Sequence, residues 1–319
     1  MTAPLLDVSD LSVEFPQRRQ RLQALDRISF TLESGEVLGF VGESGAGKSL
    51  TGAAIMGLLE PPGRITGGRI TLQGQRIDGR AETVRGRRIG MIFQDPLTSL
   101  NPLRTVGDQL VETIQLHLGM DAGAAAVRAG ELLDEVGIDR SRIGAYPHEF
   151  SGGMRQRIVI ALALAPEPEL IIADEPTTAL DVSIQAQVLV LLRRLCKERG
   201  AAVILITHDM GVIAETTDRV AVLYAGRLVE TGRTAEVISA PRHPYTRGLM
   251  AATPNLDLVS VDTVLPQIPG SMPSLADLPP GCRFHPRCGD VMPVCRQTAA
   301  PFIDGVACHL YDTQSPEAG

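Results

Sequence analysis

The chain has 319 residues, 44% hydrophobic and 21% charged, with a net charge of −7. Such a length holds one full domain and a smaller appendage, and the acidic balance argues against a chain built mainly to bind nucleic acid. No apolar run approaches the roughly 18 residues that would cross a bilayer, and the opening MTAPLLDVSD lacks the basic and apolar regions of a secretory signal, so a cytosolic protein is expected.

In chain order, 5–15 and 22–32 alternate apolar and polar residues and predict an antiparallel strand pair. The run VLGFV at 37–41 predicts a short buried strand that enters a glycine-rich loop, and 49–59 predicts a helix stopped by Pro61-Pro62-Gly63. Two more strands are expected at 69–72 and 89–93. Residues 100–165 read as helices, at 106–118, 124–136 and 152–165. Strand and helix then alternate at 170–173, 183–198, 202–207 and 219–224, the pattern of parallel α/β wrapping. Periodicity fades from about Pro241, and the proline-rich stretch 264–281 reads as an extended linker. The arginines at Arg18, Arg19 and Arg21, and at Arg85, Arg87 and Arg88, are expected on solvated loops.

Three segments carry chemistry. In GESGAGKS, a turn from strand to helix, Gly42, Glu43, Ser44, Gly45, Ala46 and Gly47 would aim backbone N–H groups at phosphate oxygens. Lys48 would neutralise the β- and γ-phosphates and the Ser49 hydroxyl would ligate Mg²⁺. At the end of LIIADE, Asp174 is placed to hold Mg²⁺ and Glu175 to polarise an attacking water as general base. Ser151, Gly152 and Gly153 open a predicted helix, where serine reads either as an N-cap or as part of an anion site.

The order of these segments resembles that of the ABC ATPases, whose signature the stretch FSGGM (150–154) is similar to. Phe93-Gln94-Asp95 resembles the family's Q-loop, Ala179-Leu180-Asp181 its D-loop and Thr207-His208-Asp209 its switch-histidine region. The resemblance implies an α/β P-loop ATPase fold with an antiparallel β subdomain, a helical signature subdomain at about 100–165 and a cysteine-containing C-terminal extension. It places the ATPase domain at 1–240 and the extension at 241–319. It implies that Gln94 contacts Mg²⁺ and water, that His208 contacts the γ-phosphate and that Asp181 acts across a dimer interface. Phe15 falls where the family stacks an aromatic on adenine, and a core aromatic is an equal reading. Met154 stands where the family usually has glutamine.

Within the family, QDPLTSLNPLRTVGDQL (94–110), HPYTRGLMAATP (243–254) and GCRFHPRC (281–288) resemble the ATPases of the oligopeptide, dipeptide and nickel uptake group, and HPYTRGL the first, D-type subunit of that group. The implied partners are a paralogous ATPase subunit, two transmembrane permease subunits and an extracytoplasmic solute-binding protein, with the chain peripheral on the cytoplasmic face of the plasma membrane. Cys282, Cys288, Cys295 and Cys308 lack the closely spaced knuckles usual for zinc. Four thiolates suit a [4Fe–4S] cluster, with which the group's extension is associated; zinc and uncoordinated thiols stay open. Cys196 reads as a packed core thiol. The alternative function is a non-transport ABC ATPase of DNA repair or translation.

Overall fold

The computed structural model describes residues 3–18, 20–178, 180–253 and 266–312. Strands β1 (Leu6–Pro16), β2 (Arg21–Leu32) and β3 (Val37–Val41) are followed by helix α1 (Lys48–Met56) and strands β4 (Arg64–Leu72) and β5 (Gln75–Arg76). Strand β6 (Ile89–Ile92) precedes helices α2 (Pro96–Ser99), α3 (Val106–Leu118), α4 (Ala122–Glu135) and α5 (Gly152–Leu164). The chain then alternates through β7 (Leu170–Asp174), α6 (Val182–Arg199), β8 (Ala202–Ile206), α7 (Met210–Thr216) and β9 (Arg219–Tyr224). It continues with β10 (Arg227–Arg233), α8 (Thr234–Ser239), α9 (Pro244–Ala252), β11 (Phe302–Ile303) and β12 (Val306–Ala307).

The chain forms two compact units. The first takes the described residues within 1–32, 38–78 and 207–319. Its antiparallel sheet runs β2-β1-β4-β5, and the first hairpin closes with Pro16 opposite Arg21, next to Phe15 opposite Leu22. In the same unit β3 lies parallel to β9, with Phe40 beside Ala221, and β10 returns antiparallel to β9. The β9–β10 turn places Ala225 at φ 46° and Gly226 at φ 78°, the doubly left-handed geometry of a tight hairpin. Alanine is an unusual residue there, so this hairpin has little sequence signal.

The C-terminal extension shares this core. Tyr245 on α9 and Phe284 pack against Tyr224 of β9, with ring centroids 4.7 and 5.1 Å from that tyrosine. Tyr224 and Tyr245 are fully buried, and burying each ring contributes a few kcal/mol, about 1.5–3 by area. The extension expected from residue 241 therefore shares a compact unit with β9 and β10. α9 was not legible in the sequence: it has nine residues, capped by His243 with Pro244 in the first turn.

The second unit takes the described residues within 33–37 and 79–206. Strands β6, β7 and β8 run parallel, Ile89 beside Leu170 and Leu170 beside Ala202. All five residues of β8 and the first four of β7 are buried, as expected for parallel strands covered on both faces. Helices α3 and α4 begin where Thr105 and Asp121 accept backbone N–H bonds. Among the described residues no helix is long and apolar enough to cross a membrane.

Most expected boundaries agree to within two residues. Helix α1 stops at Met56 and not near Pro61, because Gly57 adopts a left-handed C-cap and donates to Ala53 and Ala54. Arg85 and Arg87 are exposed outside the strands and helices as expected, although Arg87 donates to the Pro166 carbonyl at 2.6 Å; Arg88 is half-buried and pairs with Glu169 at 2.6 Å. The partners of Arg87 and Arg88 lie about eighty residues away in sequence, beyond the reach of local pattern. Arg18 is exposed in the first hairpin loop; Arg19, Ala179 and the start of the 264–281 linker lie outside the described residues.

Candidate active site

In the first unit, Gly42 to Gly47 form the turn between β3 and α1, and Lys48 and Ser49 open the helix. Gly42 sits at φ 151°, and a Cβ there would come within 2.3 Å of the Leu223 carbonyl oxygen. Gly47 is the N-cap of α1 at φ 104°, where an L side chain is strained. It offers no capping side chain, and no acidic residue lies in the first turn. The N-terminal amides of α1 thus meet no negative side chain from their own turn, and the helix end favours an anion. Lys48 is buried, and its ammonium donates to the carbonyls of Gly42 at 2.8 Å and Glu43 at 3.2 Å. Ser44, Gly45 and Ser49 are exposed and Ala46 is buried.

Glu43 behaves differently from its neighbours. Its N–H donates to the Tyr245 hydroxyl at 2.8 Å, and one carboxylate oxygen accepts from Arg287 at 3.0 Å. Neither partner stood out as a site residue in the sequence, although both lie in the segments HPYTRGL and GCRFHPRC that carry the group resemblance.

Phe15 is half-buried at the end of β1, its ring so close to Gly63 that a Cβ there would meet it at 2.6 Å. His208 is exposed, one residue after Thr207, whose N–H donates to the Phe40 carbonyl at 3.0 Å. Asp209 then caps α7 by accepting from Gly211 and Val212.

In the second unit, Asp174 ends β7 and Glu175 follows at φ 44°. A glutamate in the left-handed region is strained, and such strain persists where the surrounding structure enforces it. Here the Glu175 N–H is held by the Ile206 carbonyl at 2.9 Å. Its carboxylate accepts from the Thr178 hydroxyl at 2.9 Å and from the Gln94 amide at 3.4 Å. The fold therefore brings Gln94 and Glu175 together from positions 81 residues apart.

Ser151 is the N-cap of α5, and its hydroxyl accepts from the Met154 N–H at 3.4 Å, a long bond. Ser151 and Gly152 are exposed, and no acidic residue lies in the first turn. The structure thus shows the serine as a cap on a helix end that is exposed. Gly153 fits because a Cβ would stand 2.6 Å from the Ile184 side chain. Phe150 is buried beneath the Arg142 guanidinium, 4.2 Å from its ring centre, and Arg142 also reaches the Met154 sulfur at 3.7 Å. Asp181 is exposed at the start of α6. Beside Gln94, a groove of about 560 Å³ is lined by Met91, Phe93, Thr98, Val159, Leu162 and Ala163. Phe93 is 45% exposed at its rim.

The four C-terminal thiols are all free. Burial pushes Cys282 and Cys288 up, opposed by backbone hydrogen bonds and assisted by neighbouring thiols. Cys308 is raised to about 11 by burial and then by the charges of Cys282, Cys288 and Cys295. The sulfurs thus lie near enough to influence one another. Yet among the described residues no three His, Cys, Asp or Glu side chains stand where they could hold a metal ion. Their placement gives the [4Fe–4S] and zinc expectations no support. Cys196 is buried in α6 and raised to about 12 by burial.

Residues 25–178 match the ABC transporter family and residues 229–295 match the oligopeptide/dipeptide transporter C-terminal region. The oligopeptide transport ATP-binding protein OppD of Salmonella typhimurium is 49% identical over 297 residues, covering 91% of this chain and 88% of that protein. OppD of Bacillus subtilis is 49% identical over 306 residues, covering 94% and 85%. Among solved structures, cbiO1 of Clostridium perfringens, part of the ABC transporter complex cbiONQ, is similar with a TM-score of 0.66 and 28% identity, covering 74% of this chain and 91% of that one. Nothing in these similarities supports the alternative of DNA repair or translation.

Proposed function

The chain belongs to the ABC transporter ATP-binding proteins of the oligopeptide/dipeptide group, and from that premise we propose that its ATP hydrolysis powers uptake of oligopeptides or a related small solute. The observation that carries this reading is the phosphate loop at α1 sharing one compact unit with the GCRFHPRC extension. It is supported by the similarity to oligopeptide transport proteins along most of the chain.

In the proposed mechanism the ATP phosphates lie on the N-terminal amides of α1, with Lys48 moving from loop carbonyls to the β- and γ-phosphates. Phe15 offers its ring to adenine. Ser49, Gln94 and Asp174 supply oxygen donors, the ligand chemistry that suits Mg²⁺, which would neutralise charge on the β- and γ-phosphates. Glu175 accepts the proton of the attacking water as the γ-phosphoryl group transfers to it, leaving ADP and phosphate. Gln94, already bonded to Glu175, orients that carboxylate, and His208 contacts the γ-phosphate. Ser151, Gly152 and Gly153 present the α5 N-terminus to the nucleotide of a second subunit, with Met154 behind them and Asp181 acting across the same interface. ATP bound from both sides favours a closed dimer and ADP does not, so hydrolysis shifts the population.

The second subunit is proposed to be a paralogous ATPase. Two permease subunits would dock at the groove beside Phe93 and Gln94, and an extracytoplasmic solute-binding protein would deliver cargo. The chain would then sit peripherally on the cytoplasmic face of the plasma membrane. A [4Fe–4S] cluster on Cys282, Cys288, Cys295 and Cys308 is the least supported part of this reading; anaerobically isolated protein lacking iron and acid-labile sulfide would remove it. The assembly is tested by mass spectrometry of what co-purifies from gently solubilised native membranes. Two permeases and a second ATPase are expected; recovery only with ribosomes or DNA would overturn the reading.

A further inference from the structure

We propose that Arg287 and Tyr245 form a clamp that positions the phosphate loop through Glu43, so that the C-terminal extension tunes ATP affinity from outside the nucleotide site. Glu43 is gripped twice. Its N–H bonds the Tyr245 hydroxyl at 2.8 Å, and its carboxylate receives Arg287 at 3.0 Å. Its second carboxylate oxygen is buried without a hydrogen-bond partner among the described residues, so the ion pair is what offsets burial of this group.

Arg287 is itself fixed. Its side chain is 6% exposed, its Nε donates to the Pro269 carbonyl at 2.7 Å, and the guanidinium also reaches the Tyr224 hydroxyl at 3.4 Å. Burial works to lower its pKa, but the bonds to Glu43 and Tyr224 outweigh it and keep it charged. Tyr245 is fully buried against Tyr224 and Phe284, so its hydroxyl has little freedom to follow the loop.

A second brace reaches the loop from the same stretch of extension. Arg283 bonds the Ala225 carbonyl and the Asp26 carboxylate, the latter at 3.0 Å. The adjacent Gly226 N–H donates to the Ala46 carbonyl at 2.8 Å. The sequence Cys282-Arg283-Phe284-His285-Pro286-Arg287-Cys288 thus bonds Glu43 directly and reaches Ala46 through the Ala225-Gly226 turn.

The connection to nucleotide is direct. The carbonyls of Gly42 and Glu43 are the ones that accept from the Lys48 ammonium. A shift of Glu43 therefore moves the resting partners of the residue that must meet the phosphates. It also moves the amides that follow it.

The test is equilibrium binding of labelled ATP with Mg²⁺ to the full chain carrying Tyr245→Phe, Arg287→Met, Arg287→Lys, Glu43→Gln or Glu43→Gln with Arg287→Met. Lys48→Ala sets the scale for lost binding. Tyr245→Phe and Arg287→Met should each weaken ATP binding about three- to tenfold, the range of one or two lost hydrogen bonds. Arg287→Lys should restore part of the loss, and the double variant should be no weaker than Arg287→Met alone. Where turnover is measured, the effect should fall on KM with kcat within about twofold. A merely structural anchor would lower the melting temperature and leave ATP affinity unchanged at temperatures where the variants are folded; that result would overturn the proposal. Additive effects in the double variant would overturn it too. If Arg287→Met does not fold, Tyr245→Phe decides alone, since it removes one oxygen and keeps the ring packing.

Discussion

Two glutamates illustrate how differently the parts of this protein are held. Glu43, in the phosphate loop, takes its partners from 202 and 244 residues further along the chain, and both are buried. Glu175, at the end of β7, is bonded to Thr178 three residues on and more loosely to Gln94, which is exposed. The first is set by tertiary packing, and the proposed mechanism gives it a part in binding. The second sits at a strained φ of 44° in a partly open position, and the proposed mechanism gives it the chemistry.

The sharpest way to break this contrast is Glu175→Gln. The change keeps the shape and the Thr178 contact but removes the proposed base. Steady-state hydrolysis should fall about 10²- to 10⁴-fold, while ATP binding to the chain persists. Hydrolysis near the native rate would show that Glu175 is not the base and that its strain serves some other end.

A smaller effect is expected at Asp26, which helps brace the loop side of the contrast. Burial acts to raise this carboxyl, but Arg227, by hydrogen bond and charge, and then Arg283, hold it below the usual carboxylate range. A depressed folded pKa contributes stability that is present above the unfolded value, about 3.9, and is lost as pH falls through the folded one. Asp26→Asn should therefore cost about 2 kcal/mol near neutral pH. It should also flatten the acid limb of the stability curve below about pH 4. Urea melts of both proteins from pH 7 downward would reveal an unchanged acid limb if the brace is idle.

The smallest effect is expected at Met154→Gln in the signature segment. Glutamine can accept from Arg142 as the sulfur does at 3.7 Å, so stability should change by no more than about 0.5 kcal/mol. A large loss in a thermal melt would mean that the sulfur contact anchors the start of α5 more firmly than its length implies.

The same contrast explains what was readable in the sequence. The β1–β2 pair, β3, α3 and the β7–β8 run follow from alternation, helical spacing and short apolar runs, because each periodicity is local. The strand–turn–helix setting of residues 42–49 and the place of Asp174-Glu175 at the end of a strand were legible for a similar reason: each pattern is packed into a few consecutive residues. The hold of Arg287 and Tyr245 on Glu43 was not, because no local pattern reports a contact between residues more than 200 positions apart. The β9–β10 turn escaped because Ala225 takes a left-handed conformation that sequence assigns to glycine or asparagine. Cysteine spacing counted the thiols of the extension but could not say how they would face one another. Their mutual influence, and the lack among the described residues of a metal-holding arrangement, appear only in three dimensions.

The most direct test of the central claim is uptake of a labelled oligopeptide by cells whose only copy of this chain is either native or Glu175→Gln, with membrane-bound chain quantified in both. The native chain should support uptake, and the variant should remain at the membrane and abolish it. Equal uptake with both chains, or none with the native chain across peptides of several lengths, would contradict the account.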